Sequence, residues 1–165
     1  MPDTSRFIAK KHRLSLSEVR VDDEGAFLIF PQSVAILGVR PDSTILFVSQ
    51  FRKAAGSMTI ELPGGRVEAG ETPQHAVRRE LKEESGFRAR SIRRILTLDL
   101  DFSISRHQTL VFFGVLPVKP VVSGSFTFRF LTLKRALKLV ASGRITHAPS
   151  VAALLWLLSE LRGTK

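Results

Sequence analysis

A mixed α+β domain, with helices packed on a mostly antiparallel or mixed sheet, is the fold class this sequence predicts. Strand-like apolar runs dominate the first half, one capped helical segment interrupts them, and two further helical segments close the chain. Strands are expected at 26–30, 34–39, 44–51, 58–62, 92–100, 109–116 and 125–131, where apolar and β-branched residues cluster. Turn signals separate several of them: Pro31-Gln32-Ser33, Arg40-Pro41-Asp42-Ser43 and Pro63-Gly64-Gly65. The first helix is expected over 73–85. Thr72 is placed to cap it, Pro73 suits its first turn, and Gly86 suits a left-handed stop. The second is expected over 133–141, with Thr132 before it and Gly143 after. The third is expected over 149–161, where Val151, Leu154, Leu155, Trp156 and Leu158 imply burial.

The 165 residues suit a single domain, and 44% hydrophobic content excludes wholesale disorder. Cysteine is absent, which removes disulfides, thiolate metal sites and a cysteine nucleophile. There is no apolar run of membrane-spanning length, and the first residues lack the apolar stretch of a secretory signal, so a cytoplasmic location is expected. Lys and Arg number 25 against 15 Asp and Glu, a formal charge of +10, with basic clusters at 6–13 and 88–94. Such a surface is either a solvated Arg-rich exterior or a field that gathers anions, phosphate esters and nucleic acid among them.

The chemistry lies between Gly64 and Phe87. Glu80, Glu83 and Glu84 are three and four residues apart, which puts Glu83 and Glu84 on the helical face of Glu80. Three like charges repel there, close to a helix C-terminus whose dipole disfavours anions. Arg78, Arg79 and Lys82 offset this in part, and a bound Mg²⁺ or Mn²⁺ would offset it fully. A solvated acidic face is the plain alternative. The glycine loop Pro63-Gly64-Gly65, set between a strand and this helix, favours a metal site because glycine lets backbone approach a metal or phosphate.

The stretch resembles the Nudix box, with Gly65, Glu71, Arg79, Glu80, Leu81, Glu83, Glu84, Gly86 and Phe87 at its defined positions. The resemblance implies a Nudix fold, an α/β/α sandwich around a mixed sheet, and a Mg²⁺- or Mn²⁺-dependent hydrolase. It makes Glu80 and Glu84 the principal metal ligands, Glu83 a further or water-mediated one, and Gly64 a ligand through its carbonyl. Glu71 and Arg79 form a structural ion pair, Val77 and Leu81 face the core, and Phe87 closes the helix end.

Gln50-Phe51-Arg52 followed by Glu61-Leu62-Pro63-Gly64-Gly65 is similar to the ADP-ribose pyrophosphatase branch of that family. This implies that Arg52 contacts the substrate diphosphate, that Glu61 meets its nucleoside or sugar, and that residues 6–30 support a homodimer. The substrate expected is ADP-ribose or a related nucleoside diphosphate sugar. Two features depart from the branch. Residues 103–108 hold no carboxylate to position water, and no proline occurs between Phe87 and Leu116. Metal-activated water with Glu83 assisting is expected ahead of His107 as base. Asp99 and Asp101 are expected on one strand face. The competing classes are an RNA 5′-end or nucleoside triphosphate pyrophosphohydrolase and a non-catalytic nucleotide-binding module. No tyrosine and no aromatic RNA-binding signature favours the first, so nucleic acid is not the expected partner, and the complete set of box carboxylates argues against the second.

Overall fold

Strand β3 (Ser33–Val39) is an unbroken apolar run, and its central residues are buried on both sides. Such a strand belongs in the middle of a sheet with layers on each face. The computed structural model, which describes residues 18–22 and 25–163, places it there. Strands β1 (Glu18–Asp22) and β2 (Gly25–Ile29) precede it. Then come β4 (Thr44–Arg52), β5 (Ser57–Glu61), β6 (Gly64–Arg66), helix α1 (Pro73–Ser85), β7 (Ser91–Asp99), β8 (Ser105–Arg106), β9 (Gln108–Val115) and β10 (Thr127–Thr132). Helices α2 (Leu133–Ala141) and α3 (Ala148–Gly163) end the described chain. The main sheet runs β10-β4-β3-β9-β7, with β5 added to β4 and β6 to β3. Strands β3 and β9 are parallel and the other pairs of this sheet antiparallel, so the sheet is mixed. Strands β1, β2 and β8 form a small second sheet.

Alternation along the central strands sorts the core into two layers. Ile36, Leu46 and Phe112 pack on one face against Val77, Leu81 and Phe87 from α1 and its end. Leu37, Phe47 and Val111 pack on the other face against Ala136 and Leu139 of α2 and Ala153 and Leu154 of α3. This is the expected α/β/α sandwich. Among the described residues, no helix is long and apolar enough to cross a membrane.

The feature that positions the site is a fork. Strands β3 and β4 pair only at Val39↔Ile45. Beyond that point β6 takes the edge of β3 and β5 takes the edge of β4. The two strands therefore splay, and the loop from Glu61 to Gly65 turns within the gap.

Helix α1 forms as its sequence dictates. The Thr72 side chain accepts the His75 N–H, Pro73 occupies the first turn, and Gly86 stops the helix at φ 77°. Several boundaries differ from expectation. The strand expected over 125–131 begins at Thr127, because the Ser125 and Phe126 N–H groups donate instead to the carbonyls of Glu83 and Glu84 at the end of α1. The strand expected to reach residue 100 stops at Asp99, and Asp101 instead accepts from Ser103 within a turn. The two aspartates thus do not share a strand face. Helix α3 runs longer than 149–161, and β2 starts one residue before the expected 26–30. Strands β1, β6 and β8 were not expected; they are short, and β6 is Gly-Gly-Arg, which carries no hydrophobic alternation. The basic cluster at 6–13 and much of the segment 6–30 lie outside the described residues.

Gly86 also receives the loop before β10. Its carbonyl accepts the Val121 N–H at 2.9 Å, and a Cβ on Gly86 would collide with the Val122 carbonyl oxygen. Gly143 has a similar left-handed conformation at φ 68° with nothing near its missing Cβ. Gly143→Ala should therefore cost about 1 kcal/mol, the left-handed penalty alone. Gly86→Ala should cost at least about 1 kcal/mol more, because backbone must move. Urea midpoints of the two variants against wild type measure the difference, and equal losses would show that the Val122 contact relaxes freely.

Candidate active site

The fork opens into a cleft of about 520 Å³, bounded by β3, by the ends of β4 and β5, by the glycine loop and by α1. The loop is glycine for steric reasons. A Cβ on Gly64 would meet the Val34 carbonyl, and one on Gly65 would occupy the place of the Glu80 carboxylate. The two glycines let the loop lie between β3 and the acidic face of α1.

Glu80 and Glu84 both line the cleft. Glu84 is only 6% exposed, and its Oε2 accepts the Gly64 N–H at 3.0 Å. Burial pushes its carboxyl up to about 7; the Gly64 hydrogen bond opposes this shift, and the Glu80 charge adds to it. Glu80 lies beside it with Oε1 held by Arg79 Nη1 at 2.8 Å. Glu83 sits elsewhere. Its side chain is 55% exposed, it pairs with Arg79 at 3.2 Å, and it lines a neighbouring cleft with Arg78, Lys82 and Arg88.

Glu71 and Arg79 make the expected pair. Arg79 Nε and Nη2 donate to the two Glu71 oxygens, each at 3.1 Å. These bonds hold the Glu71 carboxyl below its usual range. Val77 and Leu81 are fully buried and Phe87 closes the helix end, as expected.

Also lining the cleft, from the β4–β5 hairpin, Arg52 and Glu61 form a fork–fork pair. Arg52 Nε donates to Glu61 Oε1 at 2.9 Å and Nη2 to Oε2 at 2.6 Å. Thr59 Oγ1 donates to the same Oε1 at 2.7 Å. Burial alone would raise the Glu61 carboxyl, but the Arg52 and Thr59 hydrogen bonds outweigh it and hold it below the usual range. Glu61 is 3% exposed, so the structure places it beneath Arg52, with both oxygens engaged. A guanidinium has five N–H donors, and two of Arg52's go to Glu61, which leaves both on Nη1 and one on Nη2.

The cleft also holds residues that sequence reasoning did not place there: Ser33, Arg66, Leu100, Thr109 and His147. His107 lines it too. Its Nε2 is 2.9 Å from Ser33 Oγ, its ring packs on Phe30 with centroids 5.0 Å apart, and burial lowers its pKa.

The donor set suits a hard divalent cation. Glu84 is a buried carboxylate whose charge is destabilised beside a second carboxylate, and the oxygens at hand are the kind Mg²⁺ or Mn²⁺ takes. Among the described residues no three His, Cys, Asp or Glu side chains form a closed cage. Glu80, Glu84 and Gly64 would therefore hold an ion jointly with water and substrate oxygens, which is how Mg²⁺ is usually bound.

A NUDIX domain model matches residues 29–151. The chain is 32% identical to an ADP-ribose pyrophosphatase of Bacillus subtilis, over 77% of this chain and 72% of that protein. It is 37% identical to an 8-oxo-dGTP diphosphatase of Escherichia coli, over 50% of this chain and 64% of that one. A crystal structure of an ADP compounds hydrolase superposes with a TM-score of 0.72 over 89% of this chain and 85% of that one; at 19% identity this likeness concerns the fold. The chain belongs to the Nudix family, and it is a hydrolase.

The Glu84 shift has a sign that can be checked. Its folded pKa, about 7, lies above the ordinary 4.5. Between those values the folded protein keeps a proton that the unfolded chain has lost, so stability falls as pH rises through this window. In metal-free buffer, Glu84→Gln should raise unfolding stability at pH 8 by on the order of 2–3 kcal/mol, with the gain vanishing near pH 4. Urea denaturation at the two pH values measures it. A variant less stable than wild type at pH 8 would contradict a destabilised carboxylate.

Proposed function

We propose that this chain hydrolyses the phosphoanhydride bond of a nucleoside diphosphate linked to a second group, with ADP-ribose or a related nucleoside diphosphate sugar as the substrate class and Mg²⁺ or Mn²⁺ as cofactor. The observation that carries this reading is the lining of one cleft by a guanidinium and a pair of carboxylates. Arg52 reaches it from the β4–β5 hairpin, and Glu80 and Glu84 reach it from α1. A diphosphate between them meets a guanidinium directly and the carboxylates by way of a cation. The cleft volume of about 520 Å³ falls in the range usual for small-molecule sites. The relative in Bacillus subtilis named for ADP-ribose supports the substrate class.

Water attacks one phosphorus, the P–O–P bridge breaks, and two phosphate monoester dianions leave with release of the two protons of the water; from ADP-ribose these are AMP and a ribose phosphate. When bound, the divalent ion neutralises diphosphate charge and lowers the pKa of the attacking water. The chain's own residues bind and align. Glu80, Glu84 and Gly64 hold the ion, and Arg52 presents its free guanidinium edge to the diphosphate, braced by Glu61. Glu83 keeps Arg79 aligned on Glu80. Its further part, as a metal ligand or as the group assisting water, falls to its other oxygen, since Oε2 is held by Arg79 at 3.2 Å.

Glu80→Gln and Glu84→Gln should each lower kcat by about a hundredfold or more under saturating Mg²⁺, the scale of losing a key electrostatic group. Near-normal turnover in both would remove them from the site. Glu83→Gln separates its two parts: a comparable loss supports direct participation, and a small one confines it to aligning Arg79. Arg52→Ala should raise KM, and Arg52→Lys should restore binding only partly because lysine lacks the planar fork. The substrate reading is tested by a product screen over nucleoside diphosphate sugars, dinucleotides, nucleoside triphosphates and capped RNA, with Mg²⁺ and with Mn²⁺. Preference for triphosphates or capped RNA would overturn it.

We further propose that the chain works as a homodimer to which residues 6–30 contribute. Light scattering at micromolar concentration should give twice the chain mass. A fully active monomer would rule the assembly out.

A further inference from the structure

We infer that His147 is a substrate-positioning residue, presenting a neutral Nε2–H to a diphosphate oxygen beside Arg52, with its tautomer set from behind by Ser150. The inference rests on the diphosphate substrate class proposed above. His147 immediately precedes α3, and its carbonyl accepts the Val151 N–H at 3.0 Å. Its side chain does not cap the helix. It lines the cleft together with Arg52 and Glu61, and it is 32% exposed there.

The tautomer follows from counting protons. Ser150 Oγ is fully buried, accepts the Leu62 N–H at 2.9 Å, and lies 2.9 Å from His147 Nδ1. A hydroxyl has one proton to give. If Nδ1 carried a proton and donated it to Oγ, the hydroxyl proton would need another acceptor, and among the described residues Oγ has none. A buried hydroxyl with no acceptor is costly. The arrangement that satisfies every group has Ser150 donating to Nδ1 and the ring proton on Nε2.

The charged neighbours are consistent with this. Glu61 Oε2 lies 3.8 Å from Nδ1, which alone would favour a second proton, but that carboxylate is already engaged by Arg52 and Thr59. Burial works the other way and holds the imidazole below its ordinary pKa, with the nearby Arg52 charge adding to it. A neutral ring results, and its Nε2–H has no hydrogen-bond partner among the described residues.

A neutral N–H is a donor and cannot take a proton at that atom, so His147 positions substrate and is not the base. It also lengthens the donor wall of the cleft. The three unspent N–H groups of Arg52 and the Nε2–H of His147 come from different elements, β4 and the start of α3. Both are tied to the β5 end, Arg52 through Glu61 and His147 through Ser150 and Leu62.

Two measurements test this on the full chain. Long-range ¹H–¹⁵N correlation of the histidine rings, with His147 assigned by its loss in His147→Gln, should show the Nε2–H tautomer at neutral pH. The Nδ1–H tautomer or a charged ring would overturn the inference. The second is calorimetric binding of ADP in Mg²⁺, which needs no turnover. His147→Leu should weaken binding about tenfold, the scale of one hydrogen bond to a charged group. His147→Gln, whose amide nitrogen replaces Nε2 as a donor, should stay within about threefold. Equal affinity in wild type and His147→Leu, with both variants folded by circular dichroism, would overturn it. Failure of ADP-ribose hydrolysis alone would count against the proposed substrate and leave both readouts intact.

Discussion

The guanidinium of Arg79 is the fastening on which the acidic side of the cleft depends. Its five N–H groups meet five acceptors: both oxygens of Glu71, the Arg66 carbonyl, Glu80 and Glu83. The Arg66 carbonyl belongs to β6 and Glu71 to the loop that follows it, and the other two groups belong to the helix. One side chain thus fixes where β6 and its loop lie against α1, and so sets the space that Gly65 leaves for the Glu80 carboxylate. Only a planar fork can serve acceptors arranged around it in this way; a lysine offers three donors from one point. Arg79 still leaves the acids in excess. It answers Glu71, Glu80 and Glu83 with a single charge, and Glu84 receives only a backbone N–H. Burial is what chiefly raises the Glu84 carboxyl, the Glu80 charge adds to it, and the excess of acid makes a cation welcome.

The parts legible in the sequence were those with local causes. Thr72, Pro73 and Gly86 marked the ends of α1 because capping and left-handed stops are decided within a few residues. Glu80 and Glu84 were legible as neighbours from their spacing, and the resemblance to the box implied Val77 and Leu81 as core. The box also implied the Glu71–Arg79 pair. What escaped depended on pairing between distant segments. Strand β6 is defined by its partner β3 and not by its composition. The fork between β3 and β4 has no sequence signature at all.

His147 shows the same limit most clearly. Its orientation relies on a bond between Leu62 and Ser150, which are 88 residues apart. The one available hint was a histidine, with a serine three residues on, at the start of a predicted helix. The bracing of Arg52 by Glu61 escaped in a different way. The resemblance placed Glu61 near the substrate, and the structure puts it in the cleft wall, but its carboxylate is turned to bracing Arg52. A β4–β5 hairpin register that brings Thr59 opposite Gln50 also brings Glu61 within reach of Arg52, and no pattern in single residues encodes that register.

The loop between β7 and β9 narrows the sources of water activation. Asp101 spends its carboxylate on Ser103, and Asp99 accepts from Gln108 at 3.3 Å. Neither lines the cleft. His107 does, but its Nε2 is engaged with Ser33 and its ring is packed on Phe30, with Arg66 nearby adding to the burial that disfavours its charged form. That makes it a wall of the cleft, held on two sides. Of the acidic groups that line the cleft, Glu61 is spent on Arg52, and the others belong to α1, where Glu80 is restrained by Arg79 and Glu84 by the Gly64 amide. Two carboxylates fixed at short range and starved of solvent compete for protons more strongly than they would in water. A divalent ion displaces that competition at once, since it satisfies both charges where a proton satisfies only one. The burial that costs the metal-free protein stability is therefore the same feature that would favour occupancy by a cation, so affinity for an ion and instability at neutral pH would share one physical origin in Glu84.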